Sequence, residues 1–297
     1  MGVYVFFVLS GYLITGLLLD EESRRSKVSL PAFLLRREFR IVPAYYATIA
    51  VYGLITLSPA GRAYAGQFTA GLWLWLAYCG DIAATRPAVG SLLGHSWSLA
   101  IEQRFYLVWP LVIFSFCRLQ RLRIALLTAA LFVTASLQTF YFPSYFALLL
   151  GCAVAFATSH SKTRTLLSKC SGWIVCVLPV ALGIVLNWYP NIIDLFSASV
   201  ALLIAQLSTT AGAANRVLGW SPLTWLGRRS YSFYLYHVIC LNVVLRIIPT
   251  GHVAMGVLAI VLGAMLTAAV AAISFRWIEE PFRTVGKQLC SRLLARA

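Results

Sequence analysis

Long apolar runs separated by short polar stretches make up almost the whole chain. Runs near 20 residues with few or no charges predict membrane-spanning helices. Nine such runs fall at about 3–19, 41–57, 95–117, 124–141, 144–159, 172–188, 193–211, 230–248 and 254–275. A further apolar stretch, 66–79, is shorter and carries Trp73, Trp75 and Tyr78. Its length and aromatic content suit an interfacial or re-entrant helix rather than a span. The predicted fold class is all-α, a polytopic integral membrane helical bundle. It forms one membrane domain over 1–285 followed by a basic cytoplasmic tail at 286–297.

Composition sharpens this picture. Of 297 residues, 60% are hydrophobic and 11% charged, against roughly 45–50% and about 25% in soluble domains. One soluble core cannot absorb that excess. The net charge of +15 would suit nucleic acid in a soluble protein. Here the basic residues sit in loops between apolar runs, so the lipid bilayer is the expected partner and nucleic acid is not. Alternate loops hold 20 of the 24 Lys and Arg residues, the opposite set holds two, and Arg104 and Arg246 lie within spans. That asymmetry places 20–40 and the C-terminus in the cytoplasm. A tenth span at 66–79 would invert every later loop.

The N-terminal run, Gly2 to Leu19, has neither a basic n-region before it nor a small-residue cleavage site after it, and reads as a transmembrane helix. Nine spans with a cytoplasmic C-terminus put the N-terminus outside. Because Met1 is followed at once by apolar residues, a helix preceding this segment is expected; a genuine nine-span chain with an outer N-terminus is the alternative. The seven cysteines show no CxxC or CxxH spacing and read as small packing residues, with no metal site.

Four stretches carry candidate chemistry. In RREFRIVPAYY (36–46), Arg37 and Arg40 are three apart and share a helix face, and Pro43 sits near the start of the predicted span. Two guanidiniums on one face can clamp phosphate; a stop-transfer cluster is the alternative. In HSWSLAIEQRFYLVWPL (95–111), Glu102 and Arg104 lie inside a span, where ionisable groups face a polar cavity or each other. Two residues apart, they need separate partners. Ser96 or Ser98 can cap the helix. A carboxylate at that depth suits acid–base work; a structural polar pair is the alternative. In LGRRSYSFYLYHVIC (226–240), His237 is either a proton carrier or an interhelical hydrogen-bond partner. WIEEPFR (277–283) follows the last span and reads as an anchor for the cytoplasmic end.

Together these stretches resemble the acyltransferase 3 family of membrane acyltransferases that modify bacterial surface glycans. GVYVFFVLSGYLIT (2–15) is similar to that family's GVDxFFVLSGFLIT helix, RREFRIVPAYY to its RRxxRIxPxYY element, and HSWSLAIEQRFYLVWP (95–110) to its xxWSLxxEExFYLxxP element. LGRRSYSFYLYHV (226–238) with WIEEPFR is similar to its C-terminal signature. The resemblance implies transfer of an acyl group, usually acetyl, from cytoplasmic acyl-CoA to a sugar hydroxyl of a cell-envelope polysaccharide or glycolipid, in the bacterial inner membrane. It puts Arg37 and Arg40 on acyl-CoA, Glu102 and His95 among the catalytic candidates, and Arg104, His237 and Ser98 among the other polar membrane residues. It implies no cofactor beyond the acyl-CoA donor.

Two departures stand out. The family carries one more helix before the FFVLSG segment, with an arginine and the histidine usually assigned as catalytic, and its Asp in GVD is Tyr4 here. The chain is therefore expected to lack the family's first helix, so that Glu102 or His95 would have to serve as base. Two other classes stay open: a transporter of lipid-linked sugars lined by Glu102, Arg104 and His237, and an inactive truncated remnant. The outer stretch 58–94 is the only sizeable external element and the expected source of acceptor selectivity.

Overall fold

The computed structural model describes residues 1–90, 92–117, 119–137, 139, 141–169, 172–248 and 251–295. Among them every element is helical, as the apolar periodicity requires of a chain that must satisfy its backbone inside lipid. The protein is a multi-pass membrane protein. Among the described residues, seven helical stretches are long and apolar enough to cross a bilayer, or eight if one bent pair counts as a span. The predicted span at 124–141 corresponds to a helix of only 17 residues, Gln120–Ser136, whose first turn holds Arg121 and Arg123; positions 138 and 140 lie outside the described residues. The predicted span at 172–188 is a 13-residue helix, Trp173–Val185. The 66–79 stretch forms a 12-residue helix, Ala65–Leu76, about 18 Å long and too short to span.

The chain divides into two compact units, residues 1–28 with 95–217, and residues 29–94 with 218–297. The first contains α1 (Gly2–Arg25), α5 (Trp97–Pro110), α6 (Gln120–Ser136), α7 (Phe142–Ser159), α8 (Ser161–Lys169), α9 (Trp173–Val185), α10 (Ile193–Thr209) and the short α11 (Ala213–Leu218). Its centre is the packing of α1 on α7. A Cβ added to Gly11 would lie 1.9 Å from the Leu148 carbonyl oxygen, and one added to Gly151 would lie 2.0 Å from that of Val8. The two backbones therefore touch, as membrane helices do where small residues let them approach. Phe7, Val8, Ile14 and Leu18 of α1 are buried along this seam. At one end of the unit, Arg123 of α6 donates to both carboxylate oxygens of Glu22 of α1, at 2.6 and 2.7 Å, and to the Cys117 carbonyl.

The second unit contains α2 (Leu30–Leu57), α3 (Ala65–Leu76), α4 (Gly80–Ala84), α12 (Ser221–Arg228), α13 (Ser230–Ile247), α14 (Val253–Ser274) and α15 (Glu280–Ala295). α2 begins eleven residues before the predicted span, at a proline-containing first turn, so Pro43 is interior to it rather than near its start. The residues LPAFLLRREFR continue the helix beyond the apolar core because straight-chain and arginine residues sustain helix well. α14 passes into α15 through a π-helical turn, Phe275–Glu279. Pro281 follows, and in a regular helix its ring would clash with the Trp277 carbonyl; the wider turn relieves that clash. The described part of the basic tail, 286–295, belongs to α15, which packs along α2: Arg36 donates to Cys290 Sγ at 2.9 Å, and Gly286 abuts Phe39. The six described cysteines are free thiols, four of them buried, and Cys170 lies outside the described residues.

The Gly11–Gly151 contact generates a stability prediction. Gly11→Ala and Gly151→Ala each destabilise by about 1–3 kcal/mol or more through overpacking. Gly16→Ala, where a Cβ meets nothing within 4 Å, stabilises by up to ~1 kcal/mol through helix propensity. Thermal unfolding in detergent separates these outcomes, and equal melting of all three variants would refute the seam.

Candidate functional site

Two polar assemblies stand out, one in each unit. In the first, Glu102, Tyr106 and Trp109 recur at helical spacing and present one face of α5. Glu102 is 2% exposed. Ser10 of α1 donates to its Oε1 at 2.6 Å and lies 2.8 Å from the Tyr106 hydroxyl. A serine hydroxyl has one proton, so with that proton on Glu102 the phenol is the donor in the second bond. The result is a chain from Tyr106 through Ser10 to Glu102. One turn deeper along α1, Thr15 accepts a hydrogen bond from Trp109 Nε1 at 2.9 Å. Buried hydroxyls in an otherwise apolar helix must be paired, and these two, with the edge-on contact of Phe7 and Trp97 at 6.0 Å, tie α1 to α5.

His95 occupies a 3₁₀ turn at Gly94–Ser96, before α5 begins at Trp97. It is half-buried and seven residues before Glu102, about 10 Å along a helix. The two candidates thus occupy different levels. Ser96 holds the capping position, but its side chain makes no cap bond. Ser98 is buried and donates to the His95 carbonyl at 3.4 Å. Arg104, half-buried, lies on α5 away from the Glu102 stripe.

In the second unit, a cavity of about 710 Å³ is lined by Arg40, Arg228, Arg229 and Arg283, with Trp225, Phe275, Glu280, Ser221 and Thr224. Pro222 in the first turn starts α12 and sends Trp225 and Arg228 to the cavity. The Arg229 guanidinium lies 4.2 Å from the Trp225 ring centre and 5.0 Å from that of Phe275, and donates to the Trp225 carbonyl at 3.0 Å. Arg283 reaches the Phe275 ring at 5.8 Å. The π-helical turn after α14 supplies Phe275 and also Glu279, which is 1% exposed. Glu279 accepts a hydrogen bond from Ser232 of α13, whose oxygen is 3.0 Å from Ser274 Oγ. Tyr231 donates to the Ile41 carbonyl of α2 at 2.9 Å. The three stretches RREFR, LGRRSYS and WIEEPFR thus converge.

Arg40 is in this cavity, whereas the Arg37 guanidinium lies over the Phe33 ring at 5.7 Å. The predicted pair is split between the two environments. His237 is half-buried on α13, its Nδ1 2.6 Å from the Tyr234 carbonyl and its ring 5.5 Å from the Tyr234 ring. Sequence reasoning missed Ser10, Tyr106, Arg228, Arg229, Arg283 and Glu279. The available signals were a lone serine inside an apolar helix, the Glu102/Tyr106/Trp109 spacing, and the arginine doublet at 228–229.

Residues 1–276 match the acyltransferase 3 family model, described as an acyltransferase domain. The chain is 29% identical over 325 residues to the peptidoglycan O-acetyltransferase OatA of Listeria monocytogenes, covering 96% of this chain and 51% of that protein. It is 31% identical over 325 residues to the O-acetyltransferase OatA of Staphylococcus aureus, covering 96% and 53%. To YrhL of Bacillus subtilis it is 29% identical over 335 residues, covering 98% and 52%. The chain spans about half the length of the curated relatives it matches. No solved structure matches it.

The Ser10–Glu102 bond predicts a measurable coupling. Ser10→Ala destabilises by about 1–3 kcal/mol by removing a hydrogen-bond donor from a buried carboxyl. Combined with Glu102→Gln, the two losses are non-additive by about 1 kcal/mol. Unfolding in detergent of the two single variants and the double variant measures this, and strict additivity would refute the bond.

Proposed function

The chain belongs to the acyltransferase 3 family, and on that premise we propose that it moves an acetyl group from acyl-CoA to a sugar hydroxyl of a cell-wall polysaccharide of the peptidoglycan type. The arginine cavity carries the donor half of this reading. Four guanidiniums against one carboxylate form a site for a multiply charged phosphate ligand, each able to give paired N–H bonds. Trp225 adds an aromatic face of the kind on which a nucleotide base stacks. The loop-charge asymmetry supports a cytoplasmic opening, the side on which acyl-CoA is available. Arg37 belongs to this reading only as a neighbour that shapes the helix face beside Arg40.

The hydroxyl–carboxylate chain carries the proton work. In acetyl transfer the sugar oxygen attacks the thioester carbonyl, a base takes the hydroxyl proton, and the tetrahedral intermediate collapses with cleavage of the C–S bond. The CoA thiolate leaves and is protonated. A proton delivered to Tyr106 reaches Glu102 through Ser10 in two short steps. Glu102 is the terminal base, Ser10 and Tyr106 are the relay, and His95 is left as a second candidate nearer the helix start.

The two roles separate kinetically. With the chain in membranes and labelled acetyl-CoA as donor, Glu102→Gln and Tyr106→Phe lower kcat by about 10²–10⁴-fold with KM little changed. Arg40→Ala, Arg228→Ala and Arg283→Ala instead raise KM for acetyl-CoA while kcat holds. Unchanged KM in all three arginine variants would remove the cavity from donor binding, and unchanged kcat in the first pair would remove the relay.

A further inference from the structure

The first unit has a second cavity, of about 610 Å³, between α6, α7 and the start of α8, which the transfer reaction leaves unused. Its wall is apolar. Leu127 and Leu131 of α6 face Ala153, Phe156 and Ala157 of α7. Ala153 and Ala157 are one helical turn apart, so their small side chains leave a continuous trough along one face. The wall hydroxyls are turned to backbone: Thr128 donates to the Ile124 carbonyl at 2.9 Å, and Thr163 to the carbonyls of Ala157 and His160. The trough thus offers little for a polar ligand along its length.

Its mouth is different. Lys162 lines it; Arg164, two residues further on α8, is exposed but is not among the lining groups. The His160 ring, 2.5 Å from Gln120 Nε2, closes the gap between α6 and α8. No Asp or Glu occurs between Glu102 and Asp194, so nothing on these three helices neutralises the mouth. Arg123, the nearby cation that has an acidic partner, takes it from α1. An apolar trough capped by an uncompensated lysine at a helix end matches a molecule with a hydrocarbon tail and an anionic head.

We propose that this cavity is a binding site for one anionic glycerophospholipid of the leaflet that faces the basic loops, with an acyl chain in the α6–α7 trough and the phosphate at Lys162. Charge complementarity selects the occupant: a zwitterionic lipid fills the trough equally well but gains no net attraction at the mouth. One basic residue near the surface gives a preference of roughly fivefold.

The test is native mass spectrometry of the purified chain released from nanodiscs containing equal phosphatidylglycerol and phosphatidylethanolamine. One retained phosphatidylglycerol per chain is expected, enriched about fivefold. Lys162→Ala abolishes the enrichment, and Lys162→Arg keeps it. Ala157→Phe fills the trough and removes both lipids. The Lys162 side chain is exposed, so its loss leaves the fold intact, which a thermal melt verifies. Equal retention of the two lipids, persistence of the preference in Lys162→Ala, or unchanged retention in Ala157→Phe would each overturn the proposal.

Discussion

The contact between the backbones of α1 and α7 at Gly11 and Gly151 sets the geometry on which the first unit depends. Lipid tails are as apolar as leucine, so helices in a bilayer gain little by hiding apolar surface from one another. They associate through close packing and hydrogen bonds. Gly11 and Gly151 let α1 settle against α7 at carbonyl contact, and Ser10 stands immediately beside that contact. Its hydroxyl is thereby fixed in direction. The bond to Glu102, the bond to Tyr106 and the Thr15–Trp109 bond then follow on the face of α1 turned to α5. A wider α1–α7 separation would move Ser10 off the carboxyl and cost the buried pair its hydrogen bond in an apolar interior.

A different constraint organises the second unit. Pro281 forbids a regular helix across Trp277, and the π-helical turn that results rotates Phe275, Glu279 and the start of α15 relative to an unbroken helix. Glu279 then meets Ser232, and Phe275 meets Arg229 and Arg283. The WIEEPFR stretch is therefore more than an anchor at the end of a span. Its proline creates the irregular turn, and that turn lets two distant arginine-bearing stretches share one cavity.

The helices were legible because apolar run length is a property of single segments. The all-α class, seven of the nine predicted spans and the short 66–79 helix follow from counting residues against bilayer thickness. Glu102 was legible for the same reason, as a charge at depth. Its partners were not. Ser10 lies 92 residues away in sequence, and a single serine in FFVLSGYLIT has no periodic signal of its own. Arg37 and Arg40 were read as a pair because three-residue spacing shares a helix face. Long flexible side chains depart from that face, and Arg37 turns back over Phe33 while Arg40 reaches the cavity. The extent of α2 was misjudged because the basic residues that end an apolar run do not end a helix.

All four cations of the second unit's cavity are arginines, and that choice bears on how it stays assembled. Four like charges around one space repel one another; Glu280 in the lining opposes them, and so does the buried Glu279 carboxyl, which Arg40 and Arg283 attract. Lysines there would have to be held apart or lose their protons. A guanidinium can instead lay its face on an aromatic ring, which is worth about 0.5–2 kcal/mol per contact, and keep its N–H edge free for hydrogen bonds in the ring plane. Arg229 between Trp225 and Phe275, and Arg283 against Phe275, use that option. The rings hold Arg229 and Arg283 in place without cancelling their charge. The proposed phosphate site rests on that remaining positive charge, because a cavity fully neutralised by carboxylates would be as stable but would not attract an anion.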